Sequence, residues 1–218
     1  MANSLNLLSS ISPPKQARSE RTAQRILDAA QALIEREGLA ALSIPAVVRL
    51  ADSSTGSFYA RFKDKNALLS ALEERFFAEL DQTVDTLADP ERWRGRPTAE
   101  LMLACNREML GRLRLHARLV CAFMFRSTHE ATFASHARRF HDQVTGRMRA
   151  LLLSRRDEMT HPDPELAIDL ALEFAFTFIQ GRILFASAHS AARALSDECL
   201  ASELTRMFLT FAGIGGPR

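Results

Sequence analysis

ADSSTGSFYARFKDKNALL, residues 51–69, decides what fold this chain can adopt. Asp52, Ser53 and Ser54 break an apolar helical pattern with side chains that favour turns and caps. Ser54 can then cap a short helix from about Thr55 to Ala60. Phe58 and Phe62 stand four residues apart and point together into a core, which leaves Thr55, Ser57, Tyr59 and Arg61 on the opposite face. Just upstream, Ser43 occupies an N-cap position and Pro45 follows in the first turn, where a missing N–H costs little. A helix therefore begins near Ile44, with Ala46, Val47, Leu50 and Ala51 as its apolar face. Two short helices joined by three or four residues match the helix-turn-helix unit, whose second helix enters the DNA major groove. Hydroxyls and an arginine on the exposed face suit phosphates and base edges. Downstream, Asp64 caps a third, long helix with Lys65 in its first turn, a placement that suits a phosphate. The competing reading of the same residues is a surface helical hairpin in which Lys63 and Lys65 are merely solvated.

Residues 21–69 resemble the N-terminal domain of the TetR family of bacterial transcriptional repressors. The likeness begins with RTAQRILDAAQALIEREGLAALSI, similar to the family's first helix and its entry into the second. It continues through the pattern SxGxFYxxFxxK, matched by Ser54, Gly56, Phe58, Tyr59, Phe62 and Lys65. The resemblance implies that Tyr59 and Lys65 contact phosphates and that Thr55, Gly56, Ser57 and Arg61 face bases. With the capping Ser43 and Ser54, these form the expected DNA-binding set. Three positions depart from the family pattern: Asp52 where glycine is usual, Ser53 where a small apolar residue is usual, and Asn66 where an acid often follows the lysine. Aspartate tolerates the left-handed backbone better than most residues, so the turn can survive, at the cost of a negative charge near DNA. Pro45 removes a side-chain donor where some members of the family contact DNA.

The resemblance implies an all-α chain of three parts, and composition agrees with it: a flexible arm over 1–17, a three-helix DNA-binding domain over 18–66, and a helical ligand-binding and dimerisation domain over 67–218. A chain of 218 residues, 47% hydrophobic, can bury a sizeable core. Residues 1–66 carry nine Lys and Arg against six Asp and Glu, while 67–218 carry nineteen against twenty. The basic excess thus lies at the helix-turn-helix end. Cys105, Cys121 and Cys199 are widely spaced with no CxxC pairing, which fits a reducing, cytoplasmic compartment. They read as small buried hydrophobes, with redox sensing as the alternative. The first twenty residues lack a basic run ahead of an apolar stretch, and Lys15, Arg18 and Arg21 are within reach of phosphates from such an arm.

Helical patterning continues to the end of the chain. A first helix is expected over 21–37, closed by Gly38 in a left-handed cap; others over about 64–88, 98–115, 117–125 and 130–156; one opened by Asp163-Pro164; and a last one from Ser196 to near Gly213. Leu166 to Ala186 is apolar nearly all round, so it must be buried on more than one side. Asp169, Glu173, Gln180 and Arg182 argue against a membrane span. The family resemblance implies a four-helix dimer interface built from this helix and the last one of each subunit, and Leu170, Phe176, Gly181, Leu204, Phe208 and Phe211 are the expected contacts. Fourteen Phe against one Trp and one Tyr favour an oily interior. Met109, Phe123, Met124, Phe133, Phe140, Phe174 and Phe178 are candidates to line a pocket for an apolar or amphipathic effector, core packing being the alternative for each.

No catalytic or metal pattern is expected, and no cofactor. His129 and His136 lie two turns, roughly 10 Å, apart on a helix, and His136 and His141 diverge by about 140°. The first pair cannot share a metal unaided, and the second is poorly placed for joint ligation. The reading that results is a homodimeric repressor released by ligand from a palindromic operator, without a membrane role. An all-α small-molecule binding protein or enzyme without DNA function is the alternative.

Overall fold

The first helix shows why this chain divides as it does. In the computed structural model, which describes residues 15–184 and 195–215, α1 spans Lys15–Glu37 and buries Ile26, Ala29, Ala30, Leu33 and Ile34. That i, i+3, i+4, i+7, i+8 spacing is one face of a helix, and each fully buried Ile or Leu contributes about 1.5–3 kcal/mol. α1 starts six residues before the expected 21, because residues 15–20 (KQARSE) contain nothing that stops a helix. Three residues of the expected arm belong to it; residues 1–14 lie outside the described ones. Gly38 ends α1 with φ 88° but ψ 170°, so the chain leaves extended, not in the left-handed helical cap expected, and runs directly into the 3-10 turn Leu39–Ala41.

Among the described residues all regular elements are helical, and the chain forms two compact units that divide between Glu73 and Glu74. The first unit holds α1, α2 (Ile44–Leu50), α3 (Thr55–Tyr59) and the first turns of α4 (Lys65–Ala88). Its core joins the α1 face to Leu42, Val47, Val48, Phe58, Phe62, Leu68 and Leu69, all buried.

The second unit holds the rest of α4 with α5 (Thr98–Leu115), α6 (Ala117–Ser127), α7 (Ala131–Leu153), α8 (Pro164–Leu184) and α9 (Asp197–Ala212). α9 packs along α5, while α7 packs against α6 and α8. Leu101, Met102, Leu152, Ile168 and Phe208 meet in its main core around Trp93. Trp93 is fully enclosed; its indole N–H donates to the Leu87 carbonyl at 2.7 Å, and Arg155 donates to the Trp93 carbonyl at 2.6 Å. This fixes the bend after Asp89-Pro90. The expected caps are present: Asp163 accepts from the Leu166 N–H at 3.0 Å, and Ser196 accepts from the Cys199 N–H at 3.2 Å. Gly213 closes α9 at φ 70°, ψ 33°, where a Cβ would stand 2.1 Å from the Thr160 hydroxyl. Residues 185 and 186, the end of the expected apolar segment, lie outside the described residues. No described helix is long and apolar enough to cross a membrane.

Candidate nucleic-acid interface

The short helix α3 is held by caps at every joint. Ser43 Oγ accepts from the Ala46 N–H at 3.4 Å to open α2, and Ser54 Oγ accepts from the Ser57 N–H at 3.1 Å to open α3. Four residues, 51–54, connect them. Asp52 takes φ 45°, in the left-handed region, and two bonds close the turn around it: Asp52 N–H to the Arg49 carbonyl at 3.3 Å and Ser53 N–H to the Val48 carbonyl at 2.9 Å. This is the Schellman arrangement, usually built on glycine. An aspartate therefore makes the turn that the sequence left in question. Asp64 then caps α4, its Oδ1 accepting from the Ala67 N–H at 2.8 Å.

Those joints set which side chains face outward. Phe58 is fully buried and Phe62 nearly so, their rings 5.6 Å apart, which rolls the other face of α3 to solvent. Thr55 and Gly56 are exposed, Ser57 is half-buried, and Tyr59 is 55% exposed with its ring edge-on to Phe58 at 5.4 Å. Lys65 is exposed at the first position of α4, where the free N–H groups and partial positive charge of the helix end add to its own. Hydroxyls, a phenol and a lysine thus share one surface.

Arg61 is placed differently from the base-facing position expected of it. Its Nε donates to the Ser19 carbonyl at 3.0 Å and one terminal nitrogen donates to the Ser57 carbonyl at 2.6 Å. The Ser57 carbonyl belongs to the last turn of α3, where carbonyls lack helical partners and a cation is favoured, so the guanidinium is drawn back onto the backbone. It braces α3 against α1. Arg18 and Arg21, expected to reach phosphates from an arm, instead stand on α1 with Arg25, exposed and spaced i, i+3, i+7, and line a shallow basic surface beside Ser19; Arg25 is the one the sequence reading did not name. That spacing is in the sequence, but a helix expected to start only at 21 leaves Arg18 off its face.

Residues 26–72 match the family model for bacterial regulatory proteins of the tetR family. The N-terminal domain is a TetR-family domain. Solved structures extend the likeness to the whole fold. GusR of Salmonella enterica is 18% identical over 93% of this chain and 98% of its own, with a TM-score of 0.64. A TetR transcription regulator of Haloarcula marismortui is 15% identical over 89% and 97%, with a TM-score of 0.68. FadR of Bacillus subtilis, solved in complex with stearoyl-CoA, is 15% identical over 89% and 99%, with a TM-score of 0.63. No curated protein sequence matches the chain. The chain thus joins a TetR-family DNA-binding domain to the helical fold of TetR-family transcriptional regulators.

In the second unit the expected pocket residues separate. Phe123 and Phe140 are buried against Phe76 and Phe77, with Phe140 stacked on Phe77 at 4.7 Å. Phe133 is fully buried beneath the Arg126 guanidinium, 4.1 Å from its ring. Met109 and Met124 are half-buried. Phe174 is 51% exposed on the outside of α8 and stacks at 6.2 Å on Phe178, so it leaves the group expected at the domain's centre. The expected dimer contacts separate too. Leu170 and Phe211 are 50% and 44% exposed, but Leu204 and Phe208 are buried within their own unit. Phe176 meets the His141 ring at 4.4 Å, on the side of α8 that faces α7. A Cβ at Gly181 would meet nothing within 4 Å, so no close approach in this chain requires that glycine. What lies exposed is a stripe, Leu166, Leu170 and Phe174 on α8 with Met207 and Phe211 on α9, at i, i+4, i+8 spacing. Burial pushes the Cys105 thiol up to about 12, with the Arg92 charge acting the other way. Cys121 and Cys199 are half-buried, and all three are free thiols.

Proposed function

We propose that this protein is a cytoplasmic bacterial repressor that binds a palindromic operator as a homodimer and is released by a small apolar or amphipathic effector. The observation that carries the DNA reading is the exposed face of α3, with Thr55, Gly56 and Tyr59 outward, beside Lys65 at the start of α4. Tyr59 and Lys65 hold phosphates, and Thr55, Gly56 and Ser57 meet base edges in the major groove. Ser43 and Ser54 serve as caps whose helix starts face the backbone. Arg61 acts as a brace, and α1 adds its arginine face to the phosphate contacts. Two such heads occupy successive major grooves about 34–36 Å apart, which requires a two-fold dimer. The exposed stripe on α8 and α9 supports that dimer, since five large apolar side chains left in water on adjacent helices suit an isologous contact.

Effector binding in the second unit favours a state in which the two heads no longer match the operator spacing, and α4, shared by both units, carries the change. Release is limited by how strongly the effector prefers that state. Selection of bound duplexes from a random pool at two salt concentrations tests the reading. A palindromic consensus, bound with affinity that falls steeply as salt rises, is expected. Enrichment of no sequence, with no salt-dependent duplex binding, would refute it and favour a small-molecule binding protein without DNA function.

A further inference from the structure

In the major groove, base pairs are told apart by two kinds of signal: patterns of hydrogen-bond donors and acceptors, and the C5 methyl of thymine. The first is read sharply by forked side chains, arginine on guanine and asparagine or glutamine on adenine. α3 presents no fork. With its C-cap it exposes Thr55, Gly56, Tyr59 and Ala60, and Ser57 in part. The guanidinium that follows is half-buried and turned onto the backbone, Arg61 donating to the Ser19 carbonyl at 3.0 Å and to the Ser57 carbonyl at 2.6 Å. Ser57 is engaged too: its N–H donates to Ser54 Oγ at 3.1 Å, and the two hydroxyl oxygens lie 3.0 Å apart. A hydroxyl donates or accepts with equal ease, so it separates bases poorly. A methyl group has no such ambiguity. Thr55 carries one, exposed at the first position of α3, and the first residues of a recognition helix are those that meet base edges. Gly56 follows it, and a Cβ there would meet only the Ser54 hydroxyl, at 3.9 Å. Packing within the chain therefore does not call for a glycine, which weakens a helix relative to alanine. Its missing side chain instead lets the backbone approach the groove closely, as a side chain as short as that of Thr55 needs in order to reach a base.

We propose that Thr55 is the specificity-determining residue of this head, and that it selects a thymine in each half-site by packing its γ-methyl against the C5 methyl of the base. This rests on the DNA reading of α3 and names the base that the helix prefers. Burying one methyl changes affinity about fourfold. A forked side chain on guanine or adenine discriminates by about five- to 150-fold, so the two modes of reading differ in size as well as in the atom they depend on.

The test uses the purified full-length protein and the tightest duplex selected from a random pool. Each thymine of a half-site is replaced singly by deoxyuridine, which removes the C5 methyl and keeps every hydrogen-bonding group. Uracil is expected to weaken binding about fourfold at one thymine per half-site. A methylated cytosine at that position, paired with guanine, should bind tighter than plain cytosine, because it restores the methyl alone. Thr55→Ser keeps the hydroxyl and loses the methyl, so it should bind the thymine and uracil duplexes equally. Thr55→Val keeps the methyl and should keep the difference. If uracil has no effect at any thymine of the half-site, the proposal is overturned while DNA binding stands, and no variant has to fold for that result. A uracil effect that survives in Thr55→Ser assigns the methyl contact to another residue and overturns it as well. Loss of affinity on replacing a guanine by its 7-deaza form, absent in Arg61→Ala, would put the Arg61 fork on that base and refute the premise. No salt-dependent duplex binding at all refutes the DNA reading itself, a failure distinct from the others.

Discussion

Replacing Arg61 by alanine removes two hydrogen bonds, to the Ser19 and Ser57 carbonyls, and with them the tie between α3 and α1. A hydrogen bond contributes about 0.5–1.5 kcal/mol net, and the Ser19 bond is exposed, so the loss for the first unit is about 1–2 kcal/mol. If that unit has a stability on the order of 5 kcal/mol, the variant is still more than about 99% folded. Unfolding alone therefore cannot reduce DNA affinity noticeably. The expected change arises from a freer α3: affinity falls about two- to tenfold on every duplex, with the base preferences intact. An arginine reading a guanine would behave otherwise, costing about 1–3 kcal/mol at one position and relaxing specificity there. Urea unfolding followed by helical circular dichroism measures the first quantity. Titration of the selected operator and its single-base variants measures the second. Unchanged stability together with lost discrimination at one base pair would show that Arg61 swings to a base, and the bracing role would be wrong.

Lys65→Ala should reduce the slope of log affinity against log salt by about one unit on all duplexes, and an unchanged slope removes Lys65 from the phosphate contacts. Asp52→Gly should raise stability by roughly 0.5–1 kcal/mol, because φ 45° costs a glycine nothing, and should tighten DNA by removing a negative charge; a lower melting temperature would contradict the turn geometry. Leu170→Glu puts a charge into the stripe and should shift the sedimenting species from dimer to monomer; a dimer that persists would place the interface elsewhere. Because burial raises Cys105 from about 9.0 to about 12, the folded thiol stays protonated where the unfolded one ionises. Stability should therefore be insensitive to this group below pH 9 and fall between pH 9 and 12, a trend that Cys105→Ala should flatten, and a thiol reagent at pH 8 should label Cys105 only after unfolding.

The helix-turn-helix was legible because its parts are local. Ser43, Ser54 and Asp64 announce helix starts by chemistry that acts within three residues, and Phe58 with Phe62 sets which face turns inward. Asp52 shows where local rules reach their limit, since only the closed turn shows an aspartate at φ 45°. The start of α1 was misjudged because residues 15–20 carry no apolar periodicity, although they are good helix formers. In the second unit nearly every residue of α8 is apolar, so periodicity cannot say which side meets α7 and which stays outside. Phe174 and Phe176 have equal claims from sequence, yet one stands on the exposed stripe and the other against His141.

By itself, then, the sequence determined the helical elements, the TetR-like reading unit and the side chains that could meet DNA, all of which depend on neighbours within about one helical turn. Tertiary structure alone decided that Arg61 donates to the Ser19 carbonyl, 42 residues away, and that the buried Asn106 amide donates to the Thr205 hydroxyl, 99 residues away. A donor's partner across such distances is chosen by packing, and no local pattern encodes it.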